Sequence, residues 1–93
     1  MLLRHAIGST LRRLRLERGK TLRDLARESA VSLPYLSEIE RGRKEASSEI
    51  LATLGRALEV PLESVLHEAS ERLAEHEVVE LPVRSDETLL LAA

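Results

Sequence analysis

The sequence predicts an all-α fold: five helices, a helical C-terminal extension and a short tail. Three observations lead there. Apolar residues recur at three- and four-residue intervals in five separate stretches. Thr21, Ser32, Ser47 and Pro61 open four of them, and Gly19, Gly42 and the Val60-Pro61 pair close three. The 93 residues contain neither an internal repeat nor a low-complexity linker. That length suits one compact domain, so residues 1–69 are expected to form it and residues 70–93 to make a dimerisation extension and tail.

The first helix is expected from Leu3 to Arg18, since Ile7, Leu11 and Leu14 share a face and Gly19 supplies a left-handed stop. Thr21 is placed to cap the second, with Asp24 three residues on as its reciprocal partner, and that helix should end near Ser29. Ser32 caps the third. Pro34 is tolerated there because first-turn amides have no intrahelical acceptor, and Gly42 closes the helix. Ser47 opens a fourth helix carrying Ile50, Leu51, Leu54 and Leu58, and Pro61 opens a fifth. In the fifth, Leu62, Val65, Leu66, Ala69 and Leu73 form an apolar stripe whose first turn closes the core. Past Ala69 little of the domain is expected to remain for packing, so Leu62, Val65, Ala69 and Leu73 are expected to form a homodimer interface. The run from Glu77, interrupted by Pro82, reads as an edge strand or a tail without fixed structure.

Charge is divided along the chain. Residues 1–44 carry eleven Lys and Arg against five Asp and Glu, a net of +6, whereas residues 45–93 carry three against eleven, a net of −8. A basic half can attract phosphate while the acidic half turns away from it. The basic half also contains the informative motif. Leu25, Ala26, Val31, Leu36 and Ile39 fall where one short helix must cross another, which leaves Ser32, Leu33, Pro34, Ser37 and Glu38 on the outer face of the third helix. This is the layout of a helix-turn-helix that reads double-stranded DNA.

Residues 8–67 resemble the lambda-repressor-like, Cro-type helix-turn-helix family. The resemblance rests on Leu11 and Arg15, Thr21 with Leu25-Ala26, Val31-Ser32, Tyr35-Leu36-Ser37, Glu40-Arg41-Gly42, and then Ser47, Leu51, Leu58 and Val60. More narrowly, Thr21–Leu25, Ser29–Ser32 and Tyr35–Leu51 are similar to the actinobacterial clp-gene regulator group. This resemblance implies an activator of protease and stress-response genes. It also implies a buried ion pair of Arg15 with Glu40, a phosphate-contacting loop at Arg41, Arg43 and Lys44, and a terminus at Leu91, Ala92 and Ala93 that a Clp protease grips, unless that terminus packs back on the dimer. Two residues depart from the family pattern. Leu22 stands where a Gln is usual, and Ala30 stands where the turn usually has Gly.

Base contacts are assigned to Leu33, Pro34, Ser37 and Glu38. Leu33 and Pro34 can meet only a thymine methyl or groove shape, and Glu38 either accepts from a cytosine amino group or pairs with a neighbouring arginine. Phosphate contacts are assigned to Ser32, Tyr35, Arg41, Arg43 and Lys44, with Arg12 and Arg13 behind them. Ser32 is alternatively a cap alone, and Tyr35, the single aromatic residue, is alternatively a half-buried packing residue.

Other classes find little support. Base-stacking RNA and single-strand binders need several exposed rings. With no cysteine and three scattered histidines, no metal or cofactor is expected, and no motif assembles a catalytic constellation. No apolar run is long enough to span a membrane, and a cytoplasmic location is expected. The partners expected are thus double-stranded DNA and a second copy of the chain. Two rival readings are an antitoxin that covers a toxin with its acidic half, and a helical adaptor that has lost DNA binding.

Overall fold

A computed structural model describes residues 1–77. Five helices follow one another: α1 (Leu3–Glu17), α2 (Leu22–Ser29), α3 (Leu33–Glu40), α4 (Ser48–Leu58) and α5 (Leu62–Glu77), with no strand among the described residues. The anticipated edge strand and the Leu91, Ala92, Ala93 terminus lie outside the described residues.

Local chemistry sets the helix ends. The Thr21 hydroxyl accepts from the Asp24 amide at 2.9 Å while the Asp24 carboxylate accepts from the Thr21 amide at 2.9 Å, a complete capping box. Ser32 and Ser47 cap α3 and α4 with their hydroxyls. Gly19 and Gly42 both adopt left-handed backbone, and the amides of Gly19 and Lys20 bond back to Leu16 and Arg15. Gly42 and Arg43 bond back in the same way to Ile39 and Glu38.

The core is built from Leu11, Leu25, Leu36, Ile39, Leu54, Leu58 and Val65, all essentially inaccessible, with Ala6 and Ala69 filling the close approaches. Helix α5 runs antiparallel to α1: Glu68 meets Arg13, and four residues later Arg72 donates from Nε to the Thr10 hydroxyl at 3.1 Å. That arrangement corrects two expectations. Val65 and Ala69 have no exposed surface within a single chain, so they have none to offer a second copy, and Leu62 and Leu73 pack partly against the same core. Nor does packing stop at residue 69. Helix α1, fifteen residues long, is a bed of about 22 Å on which α5 continues through Arg72 and Leu73. The α5 residue that stands out is Leu66, 43% exposed.

Candidate nucleic-acid interface

Helices α2 and α3 are joined by a turn that manages without glycine. Ala30 takes φ 60°, ψ 20°, a left-handed conformation that strains any residue with a β-carbon. Ser29 secures it: the buried Ser29 hydroxyl donates to the Leu25 carbonyl at 2.6 Å and accepts from the Val31 amide at 3.2 Å. This staple was not anticipated, and its signal is a serine next to the position where the turn would ordinarily have Gly.

Helix α3 is held from one side, by the buried Leu36 and Ile39 and by an ion pair at its end. Arg15 Nε and Nη2 donate to the two Glu40 carboxylate oxygens at 2.8 and 2.9 Å, and Arg15 Nη1 donates to the Lys20 carbonyl at 2.7 Å. The two side chains are 8% and 5% exposed, so this is the buried pair that the resemblance implied. Its hydrogen bonds hold the Arg15 pKa above the ordinary arginine value.

Pro34 is exposed on α3, and Leu33 and Glu38 are half-buried. The Ser32 hydroxyl accepts from the Tyr35 amide at 3.3 Å, so its capping role is met. The Glu38 carboxylate lies 3.7 Å from the Arg43 guanidinium, the alternative in which it pairs with an arginine. Ser37, also half-buried, lines a cleft with Arg12, Leu22 and Arg41 over the Arg15–Glu40 pair.

Two of the residues assigned to phosphate have partners within the protein. The Tyr35 phenol donates to the Glu45 carbonyl at 3.1 Å, which uses its single proton inside the protein and makes the residue a brace for the loop. Arg13 is bound on the α5 side: Nε and Nη2 each donate to a Glu68 carboxylate oxygen at 2.6 Å, and Nη1 donates to Glu17 at 3.2 Å. Hydrogen bonding to Glu68 also raises the Arg13 pKa above the ordinary arginine value. Among the described residues, the basic side chains without a carboxylate partner include Arg12, Arg23, Arg41 and Lys44, all exposed.

The basic loop after α3 is anchored by residues to which sequence reasoning gave no role. Arg4 Nε donates to the Gly42 carbonyl at 3.0 Å, and Arg4 Nη1 lies 3.7 Å from Glu45. Gly8 lets α1 come close to the end of α3, where a β-carbon would stand 2.4 Å from the Ile39 carbonyl oxygen. The signal for Gly8 was available: a glycine inside a helix, remote from either end, costs stability unless close packing requires it. Among the described residues no His, Cys, Asp and Glu cluster is arranged to hold a metal, and no helix is long and apolar enough to cross a membrane.

A family model described as a helix-turn-helix domain matches residues 6–67. The transcriptional regulator ClgR of Mycobacterium tuberculosis is 51% identical over 76 residues, which is 82% of this chain and 68% of that protein. The crystal structure of the clp gene regulator ClgR from Corynebacterium glutamicum superposes with a TM-score of 0.80 at 45% identity, covering 98% of this chain and 92% of that one. The restriction-modification controller protein C.Esp1396I, solved as a tetramer in complex with its natural 35 base-pair operator, superposes with a TM-score of 0.66 at 29% identity, covering 74% of this chain and 96% of that one.

Proposed function

The chain belongs to the helix-turn-helix family, in its clp-gene regulator group, and is a DNA-binding transcription regulator; on that premise we propose that it is a dimeric activator of protease and stress-response genes. Each copy lays α3 in the major groove of one half of an inverted repeat, with half-site centres about one DNA turn apart. The observation that carries this reading is the one-sided anchoring of α3. Leu36, Ile39 and Glu40 hold it, while Pro34 and Glu38 stay accessible beside the exposed Arg41, Arg43 and Lys44. Leu33 and Pro34 then meet base edges, Glu38 exchanges Arg43, 3.7 Å away, for a cytosine amino group, and the cations and the first-turn amides behind Ser32 meet phosphate. A single α3 is a small reading surface, so pairing two half-sites raises both affinity and discrimination. On α5 we place the exposed Leu66 in the dimer seam, since Val65 and Ala69 are buried.

The test is selection of genomic DNA fragments by the purified full chain at two salt concentrations, repeated with Glu38→Ala and with Arg43→Ala/Lys44→Ala. An enriched inverted repeat that the first variant blurs at one base, and that the double variant weakens uniformly, supports the reading. Absence of enrichment, with no salt-dependent affinity for any duplex, refutes it and returns the toxin-binding and adaptor readings. We further propose that a Clp protease removes the regulator by its apolar terminus at Leu91, Ala92 and Ala93. Aspartate at 92 and 93 then lengthens its lifetime in cells, and an unchanged lifetime refutes this.

A further inference from the structure

The bundle is open at the end where α1 begins. Thr10 and Arg13 turn to α5, through Arg72 and Glu68, while Arg4, Gly8 and Arg15 turn to the end of α3. Leu3 and Ile7, one helical turn apart, project between those two sides. With Ile39 and Ala46 they line a cleft of about 150 Å³. Ile7 and Ile39 are buried, whereas Leu3 is 54% exposed, so the mouth lies at Leu3. A space of that size takes one branched aliphatic or ring-sized group. Its rim is cationic. Arg4 lies 3.7 Å from Glu45 and donates to the Gly42 carbonyl, and Lys44 is exposed with no carboxylate partner among the described residues.

The place where α5 ends points to the occupant. Helix α5 is antiparallel to α1 and Arg72 stands at Thr10, so Glu77 lies about 7.5 Å further on, level with the first turn of α1 that holds Leu3 and Arg4. From there the chain continues Val78-Val79-Glu80-Leu81-Pro82-Val83. Five extended residues reach about 17 Å, more than the width of one helix, which brings the cleft within range. Pro82 disfavours helical backbone at Leu81, and an extended run sends Val79, Leu81 and Val83 to one face and Glu80 to the other. We propose that residues 79–83 of the same chain lie extended across the cleft, with Leu81 filling it and Glu80 at the rim beside Lys44. Apolar side chains then meet the apolar lining, and a carboxylate meets the unpaired cation. Held by so short a connection, the segment faces the cleft at about millimolar effective concentration, which favours it over the same segment of a second copy. One consequence rests on the DNA-binding reading above. Lys44 belongs to the loop assigned to phosphate, so Glu80 competes with phosphate for it and the docked segment restrains DNA affinity.

The full chain has no cysteine, so a pair can be introduced without background. Ala46→Cys with Val83→Cys is expected to close a disulfide within one chain about tenfold faster than Ala46→Cys with Leu90→Cys under the same oxidant. In thermal melts Leu81→Asp should lower the midpoint by at least about 6 °C, equally at low and high protein concentration, and Leu90→Asp should leave it in place. Glu80→Gln should tighten binding to the fragment most enriched in the selection above by about two- to fivefold, and should change nothing once Lys44→Gln is present. A disulfide that forms only between chains assigns the cleft to a second copy and overturns the proposal. Equal closure rates, or an unchanged midpoint for Leu81→Asp, overturn it as well. An effect of Glu80→Gln that survives in the Lys44→Gln chain overturns the competition with phosphate alone. Failure of the parent chain to bind any duplex overturns the DNA-binding reading and that competition with it, while crosslinking and melting still decide the docking.

Discussion

Replacing Arg15 with alanine tests the bond that ties the end of the reader helix to α1. The Glu40 carboxylate is 5% exposed, and its hydrogen bonds come from Arg15 at 2.8 and 2.9 Å. Removing the guanidinium strands a charge that water scarcely reaches, and breaking such a pair from one side costs about 3–5 kcal/mol. At about 4–8 °C per kcal/mol for a chain of this size, the melting temperature should fall by at least about 12 °C. Glu40→Ala is expected to be milder, because Arg15 retains the Lys20 carbonyl at 2.7 Å. Arg15→Met combined with Glu40→Leu should recover most of the loss, since filling the space with apolar groups leaves no charge stranded. Thermal melts followed by circular dichroism at matched protein concentration provide the readout. A single alanine variant that melts within a few degrees of the parent would refute the reasoning.

Further outcomes follow from the same geometry. Gly8→Ala should destabilise the chain despite alanine's better helix propensity, because its β-carbon would stand 2.4 Å from the Ile39 carbonyl oxygen and 2.7 Å from that of Glu40; a raised melting temperature would contradict this. Ala30→Gly should stabilise by up to about 1 kcal/mol, since glycine takes the left-handed turn without strain, and urea titration would expose a loss instead. Hydrogen bonds from Arg13, with help from Arg72, hold the Glu68 carboxyl below its ordinary pKa. Its contribution is therefore present above the unfolded pKa and lost as pH falls through the lower folded value, so Glu68→Gln should flatten the acid limb of stability against pH. An unchanged acid limb would show that the Arg13–Glu68–Arg72 cluster adds nothing to folding.

The helices and their ends were legible because local chemistry decides them. Thr21 with Asp24, Ser32, Ser47, Gly19 and Gly42 act within a few residues of themselves, and the apolar spacing of Leu11, Leu25, Leu36, Leu54 and Leu58 reports the inward face of each helix directly. The family pattern likewise placed Arg15 and Glu40 together across 25 positions. Partner choice among exposed groups was not legible. Arg12 and Arg13 are neighbours of the same type on α1, yet Arg13 is bound to Glu68, 55 positions away, and Arg12 faces the cleft beside α3.

By itself, the sequence determined that this chain makes five capped helices, that its basic half bears a helix-turn-helix, and that one buried ion pair ties the reader helix to the first. Periodicity, caps and motif spacing are local or recurrent features, so they survive in one dimension. Only the tertiary structure decided that Val65 and Ala69 belong to the core, that Tyr35 spends its proton on the loop, that Gly8 admits α1 to the end of α3, and that Ser37 shares a cleft with two unpartnered arginines. Those outcomes depend on which face of α5 lies on α1 and on how near two backbones approach, and both are set by packing between residues far apart in the chain.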